Sequence, residues 1–66
     1  MTQPEVREIF RKIANGENRH GSFLTTFSKA LIAADDDNFV IMLTAAQRLI
    51  EKYALREEYA HNAVQP

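Results

Sequence analysis

The chain has 66 residues, with eight basic and nine acidic side chains and a formal net charge of −1. A chain of this length supports one domain with a small core, and its near-neutral charge provides no field that would attract nucleic acid. Cysteine is absent, which excludes disulfides and thiolate metal sites. The two histidines, His20 and His61, lack the spacing of a zinc site, so we expect no metal and no cofactor. A domain this small often gains stability from disulfides, a bound metal or association with another subunit. Of these, association is the one that the sequence leaves.

The first predicted element is a helix over residues 3–14. Thr2 and Glu5 have the spacing of a capping box, in which each side chain satisfies a backbone N–H at the helix start. Asn15-Gly16 is a pair that often closes a helix in the left-handed conformation, so we expect the helix to end there. The apolar residues of this segment recur at helical spacing. They are Val6, Ile9, Phe10 and Ile13.

A polar segment bracketed by glycines, residues 16–21, predicts a loop. Ser22 is a favourable N-cap residue, and the apolar stripe that follows predicts a second helix over residues 23–34. The stripe consists of Phe23, Leu24, Phe27, Ala30, Leu31 and Ala34.

Three aspartates, Asp35 to Asp37, favour the start of another helix because the N-terminal end of a helix attracts anions. We therefore expect a third helix over residues 37–55, and a frayed tail over residues 61–66, which offer little to bury. The apolar seam of the third helix consists of Phe39, Met42, Leu43, Ala46, Leu49, Ile50 and Tyr53.

These elements predict an all-α fold, a small three-helix domain over residues 1–60 that assembles through helix packing. The apolar runs fall far short of the roughly 18 residues needed to cross a bilayer. The first residues also lack the basic and apolar segments of a secretory signal. We therefore expect a cytoplasmic protein that does not interact with a membrane.

Some apolar residues lie outside the predicted core stripes. Ile32 falls off the stripe of the second helix, and Val40 and Ile41 fall on sides of the third helix that one small core cannot cover. We expect these three residues to contact another copy of the chain, in a homo-oligomer, or a different protein.

The loop before the second helix is the one place where groups that hold an anion come together. Arg19 and His20 supply cationic side chains, and Gly21 and Ser22 supply free backbone N–H groups at a helix start. A phosphorylated small molecule or a signalling nucleotide would suit such a site. The pattern is not a P-loop, and an ordinary surface loop contains the same residues, so both interpretations remain open.

Residue positions argue against several other functions. A calcium loop beginning at Asp35 would place Phe39 at a ligand position and Ala46 where a glutamate belongs. We expect the aspartates to cap the third helix, and a site for another cation or for a basic partner is the alternative. A recognition helix beginning with three aspartates would be repelled by DNA phosphates. We do not expect an enzyme, because so short a chain leaves little room for a cleft with a catalytic set of side chains.

A set of residues over about half the chain carries a resemblance to a known group of proteins. They are His20-Gly21-Ser22-Phe23-Leu24, Phe27, Ala30, Ala34-Asp35, Asn38-Phe39 and Leu49-Ile50-Glu51-Lys52-Tyr53. In this pattern the chain resembles small proteins encoded by phages and prophages. The resemblance implies a bacterial cell or a phage-infected host and an accessory role, and it assigns no functional residue.

Three functions are compatible with these observations. The first is an interaction protein, a homo-oligomer that also binds a host or phage protein. The second is a binder of a small anionic ligand at the Arg19/His20 loop. The third is a structural subunit of a larger assembly.

Overall fold

The computed structural model describes residues 2–16 and 20–60, and it confirms the small all-α domain of three main helices. Helix α1 spans Gln3–Ala14, helix α2 spans Gly21–Ala33 and helix α3 spans Asp36–Lys52. A single π-helical turn covers Arg56–Ala60. The tail over residues 61–66, predicted to be frayed, lies outside the described residues.

The capping box at the start of α1 is confirmed. The Thr2 backbone N–H donates to Glu5 Oε1 at 2.8 Å, and the Glu5 N–H donates to Thr2 Oγ1 at 3.3 Å. The predicted left-handed closure at the other end is wrong, because Asn15 has a φ of −96° and Gly16 does not adopt a positive φ either. Its N–H and that of Gly16 instead donate to carbonyls of the last turn, which satisfies those carbonyls without a left-handed residue.

Helix α2 begins earlier than predicted, and Ser22 is not its N-cap. The helix starts at Gly21, and the N-cap is His20, whose side chain makes no capping hydrogen bond. Gly21 has a φ of +88°, a conformation that glycine adopts without steric cost. This freedom lets the chain enter the helix before it reaches the serine, which lies exposed in the first turn.

The buried face of α2 differs from the predicted apolar stripe. Phe23 is 61% exposed and Ala30 is also exposed, whereas two polar residues, Thr25 and Ser28, are buried. The Ser28 hydroxyl donates to the Leu24 carbonyl at 2.6 Å. Thr25 Oγ1 is buried and has no hydrogen-bond partner among the described residues.

Aromatic contacts join α2 to α1. The ring of Phe27 meets that of Phe10 on α1 edge to face, with 5.5 Å between centroids, and Phe10 is fully buried. The ring of Phe23 lies 6.2 Å from that of Phe27, centroid to centroid. Phe27 therefore makes the aromatic contact with α1, and Phe23 contacts Phe27 while staying largely exposed.

Helix α3 begins at the acidic run, as predicted. Asp35 is the N-cap, and its Oδ1 accepts a hydrogen bond from the Asn38 N–H at 2.9 Å. The helix ends at Lys52, so the prediction that it continues to residue 55 is wrong. Ala54 adopts a φ of +54°, which turns the chain so that Leu55 enters the core and is fully buried.

The core forms around α1. Helix α2 packs along it, and both α3 and the C-terminal π-helical turn also contact it. The buried apolar residues are Val6, Ile9, Phe10, Ile13, Leu24, Leu31, Phe39, Ala46, Ile50 and Leu55.

Candidate interaction surface

The most exposed large aliphatic side chains of the described residues lie next to each other on α3. Ile41 is 75% exposed and Val40 is 56% exposed. Phe39, Ala46 and Ile50 bury the opposite side of the same helix. A single exposed apolar residue is ordinary on a protein surface, but two together on a helix of so small a domain mark a surface that another molecule could cover.

One face of α3 runs the length of the helix through Ile41. Its residues recur at intervals of four and three positions, a spacing that places side chains along one line of a helix, and all are exposed. We call this the outer face of α3. It consists of Asp37, Ile41, Thr44, Arg48 and Lys52.

The outer face is acidic at its N-terminal end, apolar and small in the middle, and basic at its C-terminal end. Asp37 lies in the first turn of α3 and Lys52 in the last, where each charge has a favourable interaction with the helix dipole. The Lys52 ammonium also lies 5.4 Å from the centre of the Tyr53 ring. The helix dipole accounts for the aspartate in the first turn and the lysine in the last. It does not account for the exposed Ile41 between them.

Ile32 is less accessible than the other two residues predicted at an interface. It is half-buried and packs against the core, whereas Val40 and Ile41 are both exposed. The place of Ile32 at an interface stays a prediction.

The loop predicted to hold an anion contains an acidic neighbour that the sequence did not reveal. His20 Nε2 lies 3.5 Å from Glu58 Oε2, in the C-terminal π-helical turn. A carboxylate at this distance repels an anion approaching the imidazole. Gly21 and Ser22 are exposed beside it, and Arg19 lies outside the described residues. The described part of the loop therefore gives no support to an anion site.

The bend at Ala54 creates a cleft that the sequence did not predict. The cleft has a volume of ≈ 480 Å³, and Arg56, Glu51 and Glu57 are among the side chains that line it. Its charges are of both signs and its lining side chains are mostly exposed, so they select no particular ligand. The described residues include no cluster of three or more histidine, aspartate or glutamate side chains that could hold a metal ion.

The perturbed carboxylates of the described residues lie on α1, away from the outer face of α3. Hydrogen bonds from Thr2 lower the pKa of Glu5, and the hydrogen bond from Arg11 lowers the pKa of Glu8. Both carboxylates support the helix that contains them. Their shifts have structural causes and do not point to acid–base chemistry.

Comparisons with known proteins assign no family. The chain matches no protein-family model, no curated protein and no solved structure. Within the described residues, no helix combines the length and the apolar character that a membrane span requires.

Proposed function

We propose that the protein is a small non-catalytic interaction protein that self-associates, and binds a protein partner, through the outer face of α3. The observation that carries this proposal is the 75% exposure of Ile41. Covering an isoleucine side chain contributes about 1.5–3 kcal/mol, which is a substantial gain for a domain of this size.

The chemistry of the outer face favours a protein as the partner. It combines an aliphatic side chain with one acidic and two basic residues, and such mixtures are typical of protein interfaces, where a rim of charges surrounds an apolar centre. Nucleic acid is a poorer partner because Asp36 and Asp37 lie at the start of the same helix.

The proposal includes a setting. Following the resemblance to small phage and prophage proteins, we place the protein in the cytoplasm of a bacterial cell or a phage-infected host. A host or phage protein is then the proposed partner, alongside a second copy of the chain. In this setting the protein acts as an accessory factor.

Ile41→Lys tests the proposal because it places a charge at the centre of the outer face, next to the basic half of that face. We expect native mass spectrometry and sedimentation velocity to show a concentration-dependent oligomer for the wild type, and a shift to monomer for Ile41→Lys. Ala30→Lys is the matched control, since it adds the same charge at an exposed position of α2. Circular dichroism would establish that both variants remain helical.

Two outcomes would overturn the proposal. One is an oligomer whose mass and dissociation constant are unchanged by Ile41→Lys. The other is equal weakening by Ile41→Lys and Ala30→Lys, which would assign the effect to net charge and not to the outer face.

A further inference from the structure

We infer that the outer face of α3 pairs with the same face of a second copy in antiparallel orientation, about a two-fold axis that passes between Thr44 and Ala45. This inference rests on the proposed function and deepens it, because it names the partner, the orientation and the register. It follows from the order of charged, apolar and small residues along one exposed helix.

The charges at the two ends of the outer face determine the orientation. With the axis between Thr44 and Ala45, Asp37 of one copy faces Lys52 of the partner subunit, and the symmetry repeats this pair at the other end. Both side chains are exposed in the single chain. A parallel pair in register would instead place aspartate beside aspartate and lysine beside lysine. The repulsion between these like charges disfavours the parallel arrangement relative to the antiparallel one.

The middle of the outer face suits the same register. Ile41 faces the partner's Arg48, whose aliphatic stem can cover an apolar side chain while the guanidinium stays in water. Thr44 and Ala45, both exposed, lie where the two helices cross. Small side chains at a crossing allow helix axes to approach closely, so the central contact needs no rearrangement of bulky groups.

The outer face is accessible to a second helix. It lies on the side of α3 opposite Phe39, Ala46 and Ile50, which pack into the core. A second copy that approaches from this side therefore meets α3 before any other element of the domain. The net charge of −1 also produces little overall repulsion between two copies.

The dimension of the outer face predicts a weak dimer. The positions from 37 to 52 span about 22 Å of helix, and a single helix pair buries less than the roughly 800 Å² per partner of a standard interface. The terminal ion pairs are open to solvent, where salt screens them. We therefore expect a dimer that dissociates on dilution and weakens as ionic strength rises.

Charge reversal with complementation tests the register. Asp37→Lys and Lys52→Glu each place like charges together at both ends of a homodimer, and we expect each to raise the dimer dissociation constant roughly tenfold. An equimolar mixture of the two variants restores both opposite-charge pairs. Native mass spectrometry of the 66-residue chains should then show a heterodimer at concentrations where each variant alone is monomeric.

Asp36→Lys is the matched control. It makes the same charge change in the same helical turn, with the same dipole cost, but at an exposed position outside the outer face. We expect it to leave the dissociation constant close to that of the wild type. Circular dichroism again establishes that each variant is folded.

The outcomes separate this inference from the proposed function. If Ile41→Lys dissociates the dimer while neither charge reversal weakens it, the antiparallel register is wrong and the proposed function stands. If both reversals weaken the dimer but their mixture does not recover, the register is also wrong. A wild-type chain that stays monomeric at every concentration overturns the pairing and, with it, the self-association in the proposed function.

Discussion

The guanidinium of Arg7 lies 4.1 Å from the centre of the Phe39 ring. Arg7 belongs to α1 and is half-buried, and Phe39 belongs to α3 and is fully buried. A guanidinium over the face of an aromatic ring is attracted to the negative charge density of that face. Because α3 has few other contacts with α1, this pair helps to position the helix that carries the proposed interaction surface.

Removing the charge of Arg7 should weaken this contact. We expect Arg7→Gln to lower the free energy of unfolding by about 0.5–1 kcal/mol, the usual contribution of such a cation and ring. Urea denaturation followed by circular dichroism measures the change. Lys29→Gln removes one charge from an exposed position of α2 and should have a smaller effect. Equal effects from both variants would contradict a specific role for the ring contact.

Ala54 is an alanine in a left-handed conformation, with a φ of +54°. This conformation costs a residue with a side chain about 1–2 kcal/mol, whereas glycine adopts it freely but loses more entropy on folding. We expect Ala54→Gly to raise the free energy of unfolding by about 0.5–1 kcal/mol. Thermal denaturation followed by circular dichroism should show this as a higher midpoint temperature. Ala30→Gly, inside α2, should instead destabilise it by about 1 kcal/mol. A loss of stability on Ala54→Gly would argue against the bend.

Thr25 carries a buried hydroxyl that lacks a hydrogen-bond partner among the described residues. A buried polar group in this state costs free energy, and valine has nearly the same shape without the hydroxyl. Thr25→Val should therefore raise the free energy of unfolding by about 1 kcal/mol. Thr26→Val, at the exposed neighbouring position, should change it much less. If Thr25→Val were destabilising, its hydroxyl would have to be satisfied in solution.

The lowered pKa of Glu5 makes stability depend on pH in the acid range. The hydrogen bonds from Thr2 favour the ionised carboxylate in the folded state, so the unfolded chain binds more protons as the pH falls. The resulting stabilisation is fully present above the unfolded pKa and is lost as pH falls through the folded pKa. Unfolding experiments from pH 6 down to about pH 3 should show this loss.

Glu5→Gln isolates the titration from the capping geometry. Glutamine can still accept the hydrogen bond from the Thr2 backbone N–H, but it has no proton to gain. The variant should therefore show a flatter dependence of stability on pH than the wild type. An identical dependence in the two proteins would assign the acid sensitivity to other carboxylates, of which Glu8 also has a lowered pKa.

The sequence predicted those parts of the fold that depend on local chemistry. Thr2 with Glu5, and Asp35 before α3, cap helices through side chains within three residues of their partners. These signals are visible without knowledge of the tertiary structure. The four apolar residues of α1 are all buried, because α1 contacts the rest of the fold along a single stripe.

The parts that the sequence did not predict depend on contacts between distant residues. Phe23 belongs to an apolar stripe but is exposed, whereas Phe27 makes the aromatic contact with Phe10. The turn at Ala54 has no glycine or proline to mark it in the sequence. It is associated instead with the burial of Leu55 in the core, which is a tertiary contact. The approach of Glu58 to His20 likewise depends on that turn. The acidic neighbour of the predicted anion site was therefore not visible in the sequence.

The burial of Leu55 has a consequence for the order in which the chain folds. The N-terminal helix is synthesised first, yet its apolar face is completed by a residue about fifty positions later. Contacts of such long sequence separation form after local ones because a large loop must close. A nascent chain that ended before Leu55 would contain an α1 that is capped but not fully covered. The domain therefore completes its core only after Leu55 has left the ribosome.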